Sequence, residues 1–157
     1  MTSATQLPSP LLSATVELAP ALYDVDAMGV VWHGNYFRFL EHAREALLDR
    51  IDFGYLKMDA SGFIWPIVET RMKFIAPVAF GQRVRVTATL VEFENRLRID
   101  YEVADAATGE CRNRARTTQI AVRKDTHETC FVSPPELVEK VRAALAKIAP
   151  ETAAGTA

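Results

Sequence analysis

An excess of charge of one sign is what this sequence most plainly lacks: 18 Lys and Arg stand against 20 Asp and Glu, a formal net charge of −2. Such a balance gives no general attraction for nucleic acid or for an anionic membrane. No run of roughly 18 apolar residues is present, so no membrane-spanning helix is expected. The opening MTSATQLPSPLLSA lacks the basic flank and long apolar centre of a signal peptide. Cysteine is scarce too. Cys111 and Cys130 are the two, and neither stands in metal-ligand spacing. The expectation is two reduced thiols in a cytoplasmic protein, with no metal site. What is present is ordinary for one globular domain: 49% hydrophobic and 24% charged residues in a chain of 157, long enough for a real core.

Residues 1–11, rich in Ser, Thr and Pro, and residues 149–157, small and polar, read as flexible tails around a single domain over 12–148. Within it, LSATVELAPAL (12–22) reads as a strand. Gly34 to Ile51 reads as a helix, because Tyr36, Phe37, Phe39, Leu40, Ala43, Ala46, Leu47 and Ile51 recur at intervals of three and four. The apolar arc is broad enough for a helix covered over much of its surface, with Gly34 or Asn35 near its N-cap. Residues 52–65 read as a connection. Strands follow: IVETRMKFIAPV, then GQRVRVTATLVEF, whose Val84, Val86, Ala88 and Leu90 share a face, then RLRIDYEVAD and a long ECRNRARTTQIAVRKD. Glu94-Asn95 and residues 105–109 read as turns. Pro134-Pro135 opens a final helix. Consecutive strands with tight turns and one early helix predict an α+β fold: an antiparallel sheet of about five strands wrapped around one long central helix.

The unusual stretch is YDVDAMGVVWHGNYFRFLEHAR, 23–44. Aspartates before helices commonly make turns and caps. Asp26, however, lies too far before the helix for a simple N-cap, and Met28, Val30, Val31 and Trp32 surround it with apolar side chains. A phosphotransferase aspartate pair would follow a buried parallel strand, and no βαβ pattern is present. A metal site of Asp24, Asp26 and His33 has no recognised ligand spacing. A third reading is hydrolysis. A carboxylate beside a helix N-terminus places a nucleophile or base next to free N–H groups and a positive dipole end, which suits acyl transfer without a metal or cofactor.

The stretch from Tyr23 to Arg44 resembles the signature of the 4-hydroxybenzoyl-CoA thioesterase family, hot-dog-fold acyl-CoA thioesterases: D-x-D-x-x-G-V-V-x-H-x-x-Y, then E-x-A-R on the helix. APVAFGQ (76–82) is similar to the P-x-x-x-G-D segment before the next family strand. Gln82 stands where Asp is usual, and Val25 where Thr is commoner between the aspartates. The resemblance implies a sheet wrapped around a long helix, in agreement with the periodicity. It also implies a homodimer joined edge to edge, often paired again into a tetramer, with active sites between subunits. It makes Asp26 the catalytic carboxylate and puts His33 at the helix start, with its N–H toward the thioester oxygen. Asp24 is expected to hold the loop, Glu41 and Arg44 to pair as structural support, and Tyr36 to pack beside the site. Trp65 and Ile67 are candidates for the acyl pocket. Asn95, Arg96 and Arg98, with Arg71 as an outside candidate, are candidates for the nucleotide of coenzyme A, whose phosphates need such donors. The implied substrate is an acyl-CoA or an acyl-carrier protein, with no separate cofactor. A non-catalytic acyl-binding protein and a hot-dog 3-hydroxyacyl thioester dehydratase are the alternatives.

Overall fold

The computed structural model describes residues 12–153. The expected tail over 1–11 lies outside that span, as do the last residues of the one over 149–157. Eight strands and three helices follow in the order β1 (Ser13–Leu18), α1 (Tyr36–Arg50), α2 (Tyr55–Ala60), β2 (Phe63–Ile64), β3 (Ile67–Phe74), β4 (Val84–Glu92), β5 (Leu97–Asp105), β6 (Cys111–Gln119), β7 (Ala121–Arg123), β8 (Thr129–Cys130) and α3 (Pro135–Ala153). The main sheet has five strands in the order β1-β4-β5-β6-β3, and each neighbouring pair is antiparallel. This is the hot-dog architecture expected from the sequence.

Alternation decides which side of the sheet meets α1. Val84, Val86, Ala88 and Leu90 of β4 and Leu97, Ile99, Tyr101 and Val103 of β5 are all buried. They pack with Tyr36, Phe39, Leu40, Ala43 and Leu47 of α1 in one core. Residues of the other parity, such as Thr87, Asp100, Glu102, Arg114 and Arg116, face outward, where Arg116 pairs with Asp100 and Arg114 with Glu102. Tyr101 keeps a polar end inside the core, its hydroxyl 3.1 Å from Thr117 Oγ1. Burial pushes that phenol up to about 12.

The structure refines four of the sequence boundaries. The first strand stops at Leu18, and residues 22–24 form a 3-10 turn instead of strand. The connection over 52–65 holds α2 and β2. The long strand after 110 breaks at Ile120, so that β7 leaves the main sheet for a three-stranded one with β2 and β8. Helix α3 runs on to Ala153.

The C-terminal end of α1 is sealed. The Asp52 N–H donates to the Asp49 carbonyl and the Phe53 N–H to the Leu48 carbonyl, 2.9 Å each. Asp52 takes a positive φ of 57°. This is the Schellman arrangement, with Asp in the left-handed position that Gly usually fills. Its apolar clasp is Phe53 against Leu48, both 1% exposed. Lys140 of α3 and Lys57 of α2 both bond the Asp52 carboxylate.

Candidate active site

The N-terminal end of α1 is built differently. Asp24 is buried and ties the preceding loop to the helix: Oδ2 accepts from the Ala21 N–H at 2.8 Å and Oδ1 from Arg38 Nη1 at 2.7 Å. Its carbonyl accepts from the Trp32 N–H and from Asn35 Nδ2, 2.9 Å each. Asn35 is thus the N-cap residue of α1, as the sequence suggested, but its side chain is spent on the loop and makes no bond to the helix N–H groups. No side chain caps either α1 or the 3-10 turn His33–Asn35 that leads into it.

Asp26 sits two residues further on, in a short hairpin. Its N–H donates to the Val30 carbonyl at 2.9 Å, and the Gly29 N–H returns to the Asp26 carbonyl at 3.0 Å. Gly29 has a φ of 77°, which a Cβ would strain, and so lets the three-residue loop close. The Asp26 carboxylate is half-buried, and Oδ1 accepts from the Met28 N–H at 2.8 Å. Val25 bridges Val31, and Val30 bridges Ala79, so the hairpin is pinned to the segment after β3.

A cleft of about 270 Å³ opens at this end of the helix, lined by Val31, His33, Tyr36, Phe74, Ile75, Ala76 and Pro77. Its walls are apolar, and much of that surface is open: Phe74 is 53% exposed and Ile75 47%. Tyr36 stands edge-on to Phe74, ring centres 5.4 Å apart. Burial raises the Tyr36 hydroxyl pKa against the Val78 backbone and the Arg112 charge, which lower it. The first N–H groups of the helical run, those of His33 and Gly34, come before its first internal donor, the Asn35 N–H that bonds the Trp32 carbonyl, and have no protein partner among the described residues. The Trp32 ring lies 4.7 Å from that of His33 and so close to Gly34 that a Cβ there would collide with it.

A larger groove of about 600 Å³ lies on the outer face of the sheet, between Arg71, Lys73, Arg114 and Arg116. Three of these cations are already paired with Glu69, Glu102 and Asp100. The smaller cleft is where apolar surface meets His33, whose backbone N–H has no partner among the described residues.

Of the residues singled out in the sequence, His33 and Tyr36 come together in this cleft. Asp26 lies in the adjoining hairpin and does not line it. Trp65 and Ile67 lie at the opposite end of β3 from Phe74. Asn95 and Arg96 occupy the β4–β5 turn, and Arg98 the start of β5, at that same far end. Arg96 and Arg98 both pair with Glu92. Glu41 and Arg44 do support the structure: Arg44 is buried, bonds Glu41 and donates Nε to Tyr55 Oη at 3.1 Å. Gln82 is structural as well, accepting from the Ala79 N–H at 3.0 Å and donating to Asp105. Sequence reasoning missed the wall formed by residues 74–77, although Pro77 after an apolar strand marks a stop in the ladder.

Residues 20–148 match the sequence profile of the Thioesterase-like superfamily. The chain belongs to that superfamily. A putative acyl-CoA thioesterase of Bacillus subtilis is 30% identical over 105 residues, spanning 66% of this chain and 75% of the relative. The crystal structure of a hypothetical protein from Thermus thermophilus superposes with a TM-score of 0.74 at 26% identity, covering 83% of this chain and 98% of that one. A 4-hydroxybenzoyl CoA thioesterase variant, solved with 4-hydroxybenzoyl CoA, gives a TM-score of 0.72 at 17% identity, covering 83% and 99%. At that identity the likeness concerns the fold alone. The enzyme class read from the sequence, thioester hydrolysis, is that of the superfamily.

Proposed function

We propose that this chain is an acyl-CoA thioesterase, cleaving the C(=O)–S bond of an acyl-CoA to free acid and thiol, with acyl-carrier protein as the alternative carrier. The observation that carries this reading is the cleft at the start of α1, where His33, whose N–H like that of Gly34 after it is unbonded among the described residues, meets half-exposed apolar walls in a chain of this superfamily. The thioester oxygen lies against the His33 and Gly34 N–H groups, where the positive end of the helix dipole favours the oxyanion. Asp26 acts from the hairpin beside it. As nucleophile, its carboxylate adds to the carbonyl carbon, the oxyanion collapses with loss of thiolate, and water opens the resulting anhydride. As general base, it takes a proton from the water that attacks instead. Support for either role comes from its anchoring: Oδ1 is held by Met28, while Oδ2 has no protein partner among the described residues. Neither route calls on a metal or cofactor.

The reading is also dimeric. Within one chain the cleft is separated from Trp65, Ile67, Asn95, Arg96 and Arg98 by the length of β3, roughly 23 Å at about 3.3 Å per residue. Strand β3 is an edge strand of the sheet, and every residue along it except Met72 is exposed. Pairing it antiparallel with its copy about a two-fold axis satisfies the open edge and brings one chain's Trp65 end beside the other chain's Phe74 end. The residues expected to hold the acyl group and the nucleotide then come from the partner. Two such dimers pair again in the full assembly, and the enzyme works in the cytoplasm.

Two experiments test this. Thiol release from a panel of aryl-, short- and long-chain acyl-CoAs identifies turnover; Asp26→Asn should lower kcat at least ~10²-fold with an unchanged melting temperature. Full activity in that variant ends the assignment of Asp26, and saturable binding without turnover of any thioester ends the assignment of hydrolysis. For the shared site, Asp26→Asn chains are mixed with Arg96→Ala/Arg98→Ala chains, the latter expected to raise KM about tenfold. A site shared across the two-fold leaves one intact cleft per heterodimer, so in a 1:1 mixture, where half of the dimers are heterodimers, about a quarter of the wild-type activity returns at the wild-type KM. A site contained within one chain returns no activity at the wild-type KM.

A further inference from the structure

Strand β6 contains an extra residue behind the cleft. Val103 of β5 faces Asn113 and Ala104 faces Cys111, so Arg112 is a bulge with no partner in the ladder. Bulges recur beside active sites because they re-aim a side chain. Here the bulge touches the cleft wall directly: the Arg112 carbonyl accepts from the Ile75 and Ala76 N–H groups, 3.0 Å each. Asn113 is the register partner of Phe74, so both side chains stand on the inner face of the sheet, side by side.

Asn113 is 0% exposed, and neither its Oδ1 nor its Nδ2 has a hydrogen-bond partner among the described residues. Arg112 Nε is likewise buried and unpaired, although its Nη2 bonds Glu110 at 3.1 Å. Three unpaired polar atoms on two consecutive residues are costly in an apolar core. Neither residue lines the cleft itself. Asn113 sits beside Phe74 of the neighbouring strand, whose half-exposed ring forms a wall of the cleft and leans edge-on against Tyr36, and the Arg112 charge is near enough to act on the Tyr36 hydroxyl. The set comprises two donors and one acceptor: Arg112 Nε–H and Asn113 Nδ2–H donate, and Asn113 Oδ1 accepts. Among simple oxygen groups a hydroxyl uses both kinds, since it accepts and donates at once; a carbonyl or carboxylate leaves Oδ1 unmatched.

We propose that Arg112 and Asn113 are the specificity-determining floor of the acyl pocket, reached past Phe74, and that they select acyl groups carrying a hydroxyl over plain hydrocarbon ones. The inference rests on the thioesterase reading, and its test separates the two. The probes are matched pairs, 4-hydroxybenzoyl-CoA with benzoyl-CoA and 3-hydroxybutyryl-CoA with butyryl-CoA. Wild type should prefer a hydroxylated member of at least one pair by tenfold or more in kcat/KM, because a site built for a hydroxyl rejects its absence strongly. Asn113→Leu, which keeps the branched shape and deletes both polar atoms, should lose that preference, cutting kcat/KM on the hydroxylated member far more than on the hydrocarbon one, without lowering the melting temperature. Arg112→Met should weaken the preference in the same direction. Hydrolysis of both members without preference in wild type overturns the inference and leaves the thioesterase reading standing. An equal loss on both members in Asn113→Leu overturns it too, because that reports support of the fold or a contact with the pantetheine arm. If no thioester turns over, the thioesterase reading fails, and the floor is judged by thermal shift: 4-hydroxybenzoate must stabilise wild type more than benzoate does, and Asn113→Leu must abolish the difference. Should Asn113→Leu not fold, the wild-type preference and Arg112→Met decide.

Discussion

At its C-terminus α1 ends in a Schellman turn clasped by Leu48 and Phe53, with Lys57 and Lys140 on the Asp52 carboxylate. At its N-terminus the same helix begins with no side-chain cap, two unbonded N–H groups and a cleft whose Phe74 wall is half open. Both ends belong to one rigid element in one core, so the difference is not one of general looseness. Helix termini carry polar groups that must be paired somewhere. Where the protein pairs them itself, the end contributes stability; where it does not, the groups are available to a substrate. The contrast indicates which end of a helix to examine first when an activity is sought.

Substitutions at the two ends should therefore separate activity from stability. The largest effect is expected at the open end: Asp26→Asn loses at least ~10²-fold in kcat and leaves unfolding unchanged. At the sealed end Leu48→Ala should do the reverse, costing about 2–5 kcal/mol in denaturant unfolding with kcat retained. Equal effects on both readouts in either variant would break the contrast. Gly34→Ala sharpens it. Ala is the better helix former, so stability should hold or rise. The added methyl pushes Trp32 off the helix start, and Trp32 is exposed enough to move, so kcat/KM should fall between about 10- and 100-fold. The smallest effect concerns acid. Bonding to Lys140, then to Lys57, holds the Asp52 carboxyl at about 2 instead of its ordinary 3.8. The folded state thus binds fewer protons than the unfolded one between those values, and the contribution of Asp52 is complete above pH 4 and lost as pH falls toward 2. Melting temperatures measured across that window should decline less steeply in Asp52→Asn than in wild type.

Much of the fold was legible in residue order. Strands β4 and β5 alternate cleanly, and the recurrence from Tyr36 to Ile51 marks the helix within two residues at its start. The break at Ile120 was not legible, because TTQIAV keeps the composition of one strand while its two halves join different sheets. Helix α2 is a single six-residue element, too short for a period to show. The site was legible in part. The motif places His33 and Tyr36 at the helix start, and spacing alone separates Asp24 and Asp26. It does not reveal that Trp65, Arg96 and Arg98 lie a strand length away from them, because that depends on which ends of antiparallel strands coincide. Nor does RNRAR announce that Arg112 is a bulge and Asn113 wholly buried. In the sequence those letters read as the wet side of a strand.

Strand β3 ends at Phe74, and Phe74 is a wall of the cleft. The strand that offers an open ladder to a second copy is thus also the strand that shapes what fits beside the helix. In the proposed dimer a change anywhere along it acts twice, once on how firmly the copies hold and once on the room left for the proposed acyl group. In lineages that drift at this seam, quaternary structure and substrate range should vary together and not as independent traits.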